Sequence, residues 1–192
     1  MEKYLYLTEP GWVNAWIEGG PVPFKVASEY LRDDRDAIYT PDENLIDSST
    51  HDVKTFFPYI SVDENADMKD CTFSINHEGI QLVSGAVINR VHEDGLVVCM
   101  SNSASRDVCR RFKKVACVKI KNVKRLRRVI DKHLGVTGEM GKCRYTKTHH
   151  RDHFLKYYED SWQDEFRMFW KNMPATEVML PKGMATLEFI LS

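Results

Sequence analysis

The alternation Glu165-Phe166-Arg167-Met168-Phe169-Trp170 constrains this chain more than any other stretch. Phe166, Met168 and Trp170 fall on one side of a period-two repeat, and Arg167 and Phe169 on the other, which is the pattern of a half-buried strand. Just ahead of it, Asp160-Ser161-Trp162-Gln163-Asp164 gathers acids and an amide around a tryptophan. Gln163 and Glu165 stand two apart, so a strand beginning there projects both side chains to the same side. A carboxylate and an amide held side by side at the mouth of a rigid strand suit the binding of a ribose hydroxyl and the selection of a nucleophile. The same spacing also suits a solvated strand start whose charges face water.

Such a strand needs a sheet and a core. The 192 residues suit one domain over 1–192 and are enough to bury about 70% of the unfolded surface. With 43% hydrophobic and 11% aromatic residues, the composition is globular. No run approaches the roughly 20 apolar residues of a membrane span, so no membrane is expected as a partner. The start, Met1-Glu2-Lys3-Tyr4-Leu5-Tyr6, lacks the basic-then-apolar layout of a secretory signal. Cys71, Cys99, Cys109, Cys117 and Cys143 are odd in number and never spaced C-x-x-C, which points to reduced thiols and a cytoplasmic setting. Cys99 and Cys117 lie in apolar runs and read as core residues.

Turn signals divide the chain into many short elements. Lys3 to Leu7 alternates as a strand. Pro10 opens a short helix with Trp12 and Trp16 on one face, Gly19-Gly20 ends it, and Val22 to Val26 is extended. Residues 32–58 are polar, rich in turn formers, and read as a long surface loop. Strands are expected at Ile60 to Val62, Cys71 to Ile75, Ile80 to Val83, Val87 to Val91 and Leu96 to Met100, with hairpin turns at Asn76 to Gly79 and His92 to Gly95. Ser103 or Ser105 caps a helix reaching about Phe112. Val115 to Ile120 is a strand, and Val123 to Leu134 an amphipathic helix with Leu126, Val129 and Ile130 inward, ended by Gly135. Gly135 to Lys142 lacks the glycine spacing and the Ser or Thr of a phosphate-binding loop. Cys143 to Thr146, Glu177 to Leu180 and Thr186 to Leu191 complete the strands. Many short strands with three or four short helices make the fold class α+β.

Two clusters invite chemistry. Between Arg106 and Lys132 stand twelve Lys or Arg against two Asp, an excess of ten in a chain whose net charge is -1. That stretch suits an anionic partner, either nucleic acid or an acidic protein surface, although a helix with Lys124, Arg125, Arg127 and Arg128 on its wet face is also ordinary. His149, His150 and His153 offer imidazoles at i, i+1 and i+4. His149 and His153 share a helical face, but the carboxylate of an H-E-x-x-H site is missing, and a surface cluster is the simpler reading.

The order of a tyrosine-bearing first strand, a strand running into serine at Val98-Cys99-Met100-Ser101, and the late Trp162-Gln163-Asp164-Glu165-Phe166-Arg167 resembles the ADP-ribosyltransferase superfamily. More locally it is similar to a bacterial and phage family of uncharacterised proteins with a late Trp-x-x-Glu-x-Arg motif. The resemblance implies split, mostly antiparallel sheets clasping NAD, and a mono-ADP-ribosyltransferase acting on a macromolecule. It implies that Glu165 bonds the nicotinamide ribose, that Gln163 orients the attacking group, and that Ser101 or Ser103 buttresses Glu165. Tyr4 or Tyr6 takes the first-strand position, and Tyr39 and Trp162 are aromatic candidates for the nicotinamide. The superfamily's first strand usually carries Arg or His. Here Arg32 or Arg35 of the following loop stands in, and that loop closes over the cleft. The reading from another class is a non-catalytic, phage-encoded or defence-related binding protein that uses the basic stretch. A third is a metal-dependent nuclease using the histidines with Asp152 and Glu165.

Overall fold

A computed structural model describes residues 1–30, 68–90, 94–147 and 152–191. The fold is α+β, with a mostly antiparallel sheet and a few short helices. Its organising strand is β5 (Gly95–Ser101). Along one edge β5 pairs with β10 (Glu165–Lys171) over its whole length, from Glu165 opposite Ser101 to Lys171 opposite Gly95. Along the other edge two strands share it. β1 (Lys3–Leu7) pairs at the Ser101 end through Tyr4, and β2 (Gly20–Val26) at the Gly95 end through Lys25 and Val26. The sheet therefore forks at β5. One branch continues from β1 to β6 (Ala116–Ile120) and then β12 (Ala185–Ile190), and the other from β2 to β11 (Thr176–Leu180).

Period-two alternation gives each central strand an apolar and a polar face. Leu5 and Leu7, Leu96, Val98 and Met100, Ala116, Val118 and Ile120, and Phe166, Met168 and Trp170 all belong to one core. Two helices cover that side. α1 (Val13–Ile17) supplies Val13 and Trp16, and α3 (Val123–Leu134) supplies Val123, Leu126 and Ile130. Burying Leu126 and Ile130 contributes about 1.5–3 kcal/mol each. α3 is fixed at both ends: Asn122 accepts from the Arg125 N–H at 3.1 Å, and Gly135 takes the left-handed φ of 73° that stops the helix. The paired tryptophans part company, because Pro10–Trp12 is a 3₁₀ turn whose tighter winding breaks i,i+4 register. Trp16 is buried and Trp12 exposed.

Some elements differ from expectation. β3 (Met68–His77) pairs with β4 (Ile80–Arg90), which is one strand where two were expected. Ser84-Gly85 reads as a break, and the structure has a register shift there, between Phe73 opposite Ala86 and Ile75 opposite Val83, with the ladder continuing on both sides. β7 (Glu139–Lys142), unforeseen, extends the sheet beyond β10. Just before it, the close packing on Trp170 admits only a glycine: a Cβ on Gly138 would lie 2.3 Å from Trp170 Nε1. β8 (Arg144–Thr146) and β9 (Leu155–Tyr157) form a small parallel pair. The expected strand Ile60 to Val62 and the 32–58 loop lie outside the described residues. Among the described residues no helix is long and apolar enough to cross a membrane.

Candidate functional site

The face of the sheet opposite the core carries Tyr4 and Tyr6 on β1, Cys99 and Ser101 on β5, and Glu165, Arg167 and Phe169 on β10. Register brings these together, since Ser101 is opposite both Tyr4 and Glu165. β8, β9 and the 3₁₀ helix Tyr158–Gln163 are tied to this side: the Glu165 N–H donates to Tyr145 Oη at 2.9 Å, and Lys156 Nζ lies 3.2 Å from Glu165 Oε2. A pocket opens here, lined by Tyr6, Tyr30, Ser101, Phe112, Gln163 and Glu165 among others.

Glu165 is only 5% exposed. Arg167 Nε donates to its Oε1 at 2.6 Å and Nη2 to Oε2 at 3.2 Å. Burial pushes the carboxyl up, but Arg167 and Lys156 together outweigh it and hold the group at about 2, so it is ionised. Lys156 also donates to Gln163 Oε1 at 2.7 Å, and Gln163 Nε2 donates to Asp160 at 2.9 Å. Arg167 Nη1 reaches the His153 carbonyl at 3.2 Å. The buried charges thus form a bonded network, as burial demands.

Gln163 arrives by a different route from the one expected. The strand begins at Glu165, and Gln163 is the last residue of the 3₁₀ helix. Asp164 between them adopts a left-handed φ of 41°, which swings both side chains onto the same pocket. Asn102 holds that turn, its Nδ2 donating to Asp164 O at 2.8 Å and to Oδ1 at 3.0 Å, and Lys142 pairs with Oδ1 at 3.1 Å. Ser101 Oγ donates to the Gln163 carbonyl at 2.9 Å. It therefore braces the chain just before Glu165, not the carboxylate. Ser103, exposed, reaches Asp164 Oδ2 at 3.4 Å.

The remaining candidates divide. Tyr6 lines the pocket, and its hydroxyl accepts from the Ser105 N–H at 2.9 Å and donates to the Ser103 carbonyl at 3.2 Å. Burial pushes that phenol up to about 12. Tyr4 is half-buried beside Ser101 but is not among the lining side chains. Trp162 also stands outside the lining, packed against Phe112 with ring centroids 4.9 Å apart, and Phe112 itself faces in. Cys99 lines the pocket instead of joining the apolar core, whereas Cys117 is buried as expected. Arg32, Arg35, Tyr39, His149 and His150 lie outside the described residues. His153 is buried and stacked on Phe169 at 3.6 Å.

Sequence reading missed Lys156, Arg167 as the partner of Glu165, Tyr145 and Lys114. A basic residue two places after a strand-entrance carboxylate was the available signal for Arg167. Lys156 and Tyr145 gave none.

No known protein family, curated protein or solved structure matches the chain.

The basic stretch is continuous in sequence and divided in space. α3 turns its apolar stripe to the core side of the sheet. α2 (Arg106–Arg111), capped by Ser105 as expected, leads into Phe112 and Lys114, which line the pocket.

Proposed function

We propose that the chain is an NAD-dependent mono-ADP-ribosyltransferase-like enzyme acting on a macromolecular target. One observation carries this reading: Tyr6, Ser101, Gln163 and Glu165, from separate parts of the chain, converge on one pocket. NAD supplies the ADP-ribosyl group, whose C–N bond to nicotinamide breaks with the electron pair leaving on the nicotinamide. The lining suits that molecule, since Tyr6, Tyr30 and Phe112 offer aromatic faces and Lys114 a cation for phosphate. Glu165 supplies a fixed, ionised carboxylate for the positive charge that builds on the ribose. Arg167 and Lys156 hold it in one orientation. Gln163, anchored by Lys156 and Asp160, orients the incoming group, which adds at the ribose carbon and gives up its proton.

The test uses NAD labelled in its ADP-ribose part, incubated with the protein and mixed cellular macromolecules. Label transfer is expected with the wild type and a loss on the order of 10²–10³-fold with Glu165→Gln, at an unchanged fold by circular dichroism. Absence of both transfer and an NAD-dependent thermal shift overturns the reading.

One observation favours a second reading. Three cations, Lys114, Lys156 and Arg167, line the pocket, where Glu165 is the acidic lining residue and Asp160 pairs with Lys156 from behind at 3.7 Å. On that basis the site is a non-catalytic receptor for an anionic ligand. It then binds NAD without releasing nicotinamide, and Glu165→Gln retains the binding.

A further inference from the structure

We infer that the strip formed by α2 and Trp162 beside the pocket is a docking surface for single-stranded nucleic acid, which names the target class of the transferase and rests on that reading for what is done to the strand. From Arg106 to Lys114 there are five cations and one acid, Asp107. Arg106, Arg110, Arg111 and Lys113 are exposed. The strip has two ends. At one, the Arg106 guanidinium lies 4.7 Å over the Phe189 ring on β12. At the other, that of Arg111 lies 3.6 Å over Trp162, next to Gln163 of the pocket. Phe112 then connects the strip to Tyr6, their ring centroids 6.0 Å apart.

This arrangement favours nucleic acid over an acidic protein. Carboxylates need only charge, whereas bases also need flat partners. A guanidinium stacked on an indole turns its second plane outward, ready for an unstacked base, while neighbouring cations neutralise phosphates. An unpaired strand also presents a base that reaches a pocket, which a closed duplex does not. The whole chain carries a net charge of -1, so any such affinity is local to the strip. Three exposed acids stand along it, Asp107 within α2, Glu159 before Trp162 and Glu188 beside Phe189, and Asp107 is bonded to Arg110 at 2.9 Å.

The experiment measures fluorescence anisotropy of a labelled oligothymidylate against the full chain over a salt series. Binding is expected to weaken with salt. The joint Arg106→Glu and Arg110→Glu variant is expected to bind about tenfold more weakly, with a salt slope shallower by about 0.7 for each phosphate no longer neutralised. Arg111→Ala is expected to lower affinity at high salt, where stacking persists. Lys124→Glu with Arg128→Glu on α3 is the control and is expected to leave affinity unchanged. Equal loss from the control pair, preference for polyglutamate, or no salt-dependent binding by the folded wild type overturns the assignment. An NAD-dependent thermal shift on the same variants separates the two ideas. Strand binding with neither that shift nor label transfer from NAD removes the transferase reading alone, and a thermal shift without strand binding removes the docking surface alone.

Discussion

Arg167 and Glu165, two residues apart on one strand face, form a bidentate pair, with Nε 2.6 Å from Oε1 and Nη2 3.2 Å from Oε2. Both are buried. Removing the guanidinium leaves the carboxylate in low dielectric with Lys156 as its remaining cation. Arg167→Met is expected to destabilise the protein by about 3–5 kcal/mol, measured by urea denaturation. Arg167→Lys keeps the charge and loses the fork, so it should fall in between. A loss below about 1 kcal/mol for Arg167→Met contradicts the buried-pair account.

The same pair sets a pH dependence. Glu165 has a folded value of about 2 against 4.5 for the free group. Because the folded value is the lower, its stabilisation is complete above about pH 4.5 and is lost as the pH falls through about 2. At about 1.4 kcal/mol per pH unit this amounts to roughly 3 kcal/mol. The stability difference between wild type and Glu165→Gln, followed by urea denaturation from neutral pH downward, should shrink across that window. A difference that stays flat means the carboxylate is not held ionised.

Ser101 and Ser103 separate bracing from surface contact. Ser101→Ala leaves the Gln163 carbonyl without its donor in a buried setting and is expected to lower stability by about 1–3 kcal/mol. Ser103→Ala removes a long, exposed hydrogen bond and should change stability by less than about 0.5 kcal/mol. Equal effects in thermal unfolding contradict the assigned roles.

Gly138 lies against Trp170, whose Nε1 donates to Asp131 Oδ1 at 2.7 Å, and the Gly138 N–H donates to the same oxygen at 2.9 Å. A methyl group there meets the indole at 2.3 Å. Gly138→Ala is expected to cost about 1–3 kcal/mol by overpacking, while Gly141→Ala, with nothing closer than 3.6 Å, should cost less. The reverse order in a denaturant series contradicts this packing.

Much of the architecture is legible in residue order. Val123 to Leu134 emerges with its limits intact because an apolar stripe is bracketed by Gly135, and alternation records the two faces of β10, but the strand expected to be half-buried is buried on both, because β8, β9 and the 3₁₀ helix cover its polar face. The site is harder to read. Alternation places Gln163 on the strand, since it carries no sign of the left-handed turn at Asp164. Lys156 sits in a polar run with no periodicity to single it out, and only the pairing of β8 with β9 and the turn after it carry it to Glu165. The Arg106 to Lys132 charges form one block in the chain, yet helix packing assigns them to two sides of a sheet.

The decisive measurement is nicotinamide release from NAD in the presence of mixed cellular macromolecules as acceptors, quantified by chromatography for the wild type and Glu165→Gln. Steady release is expected from the wild type, with a loss on the order of 10²–10³-fold in the folded variant. Equal release by both, or none by a wild type that binds NAD, contradicts a catalytic role for Glu165.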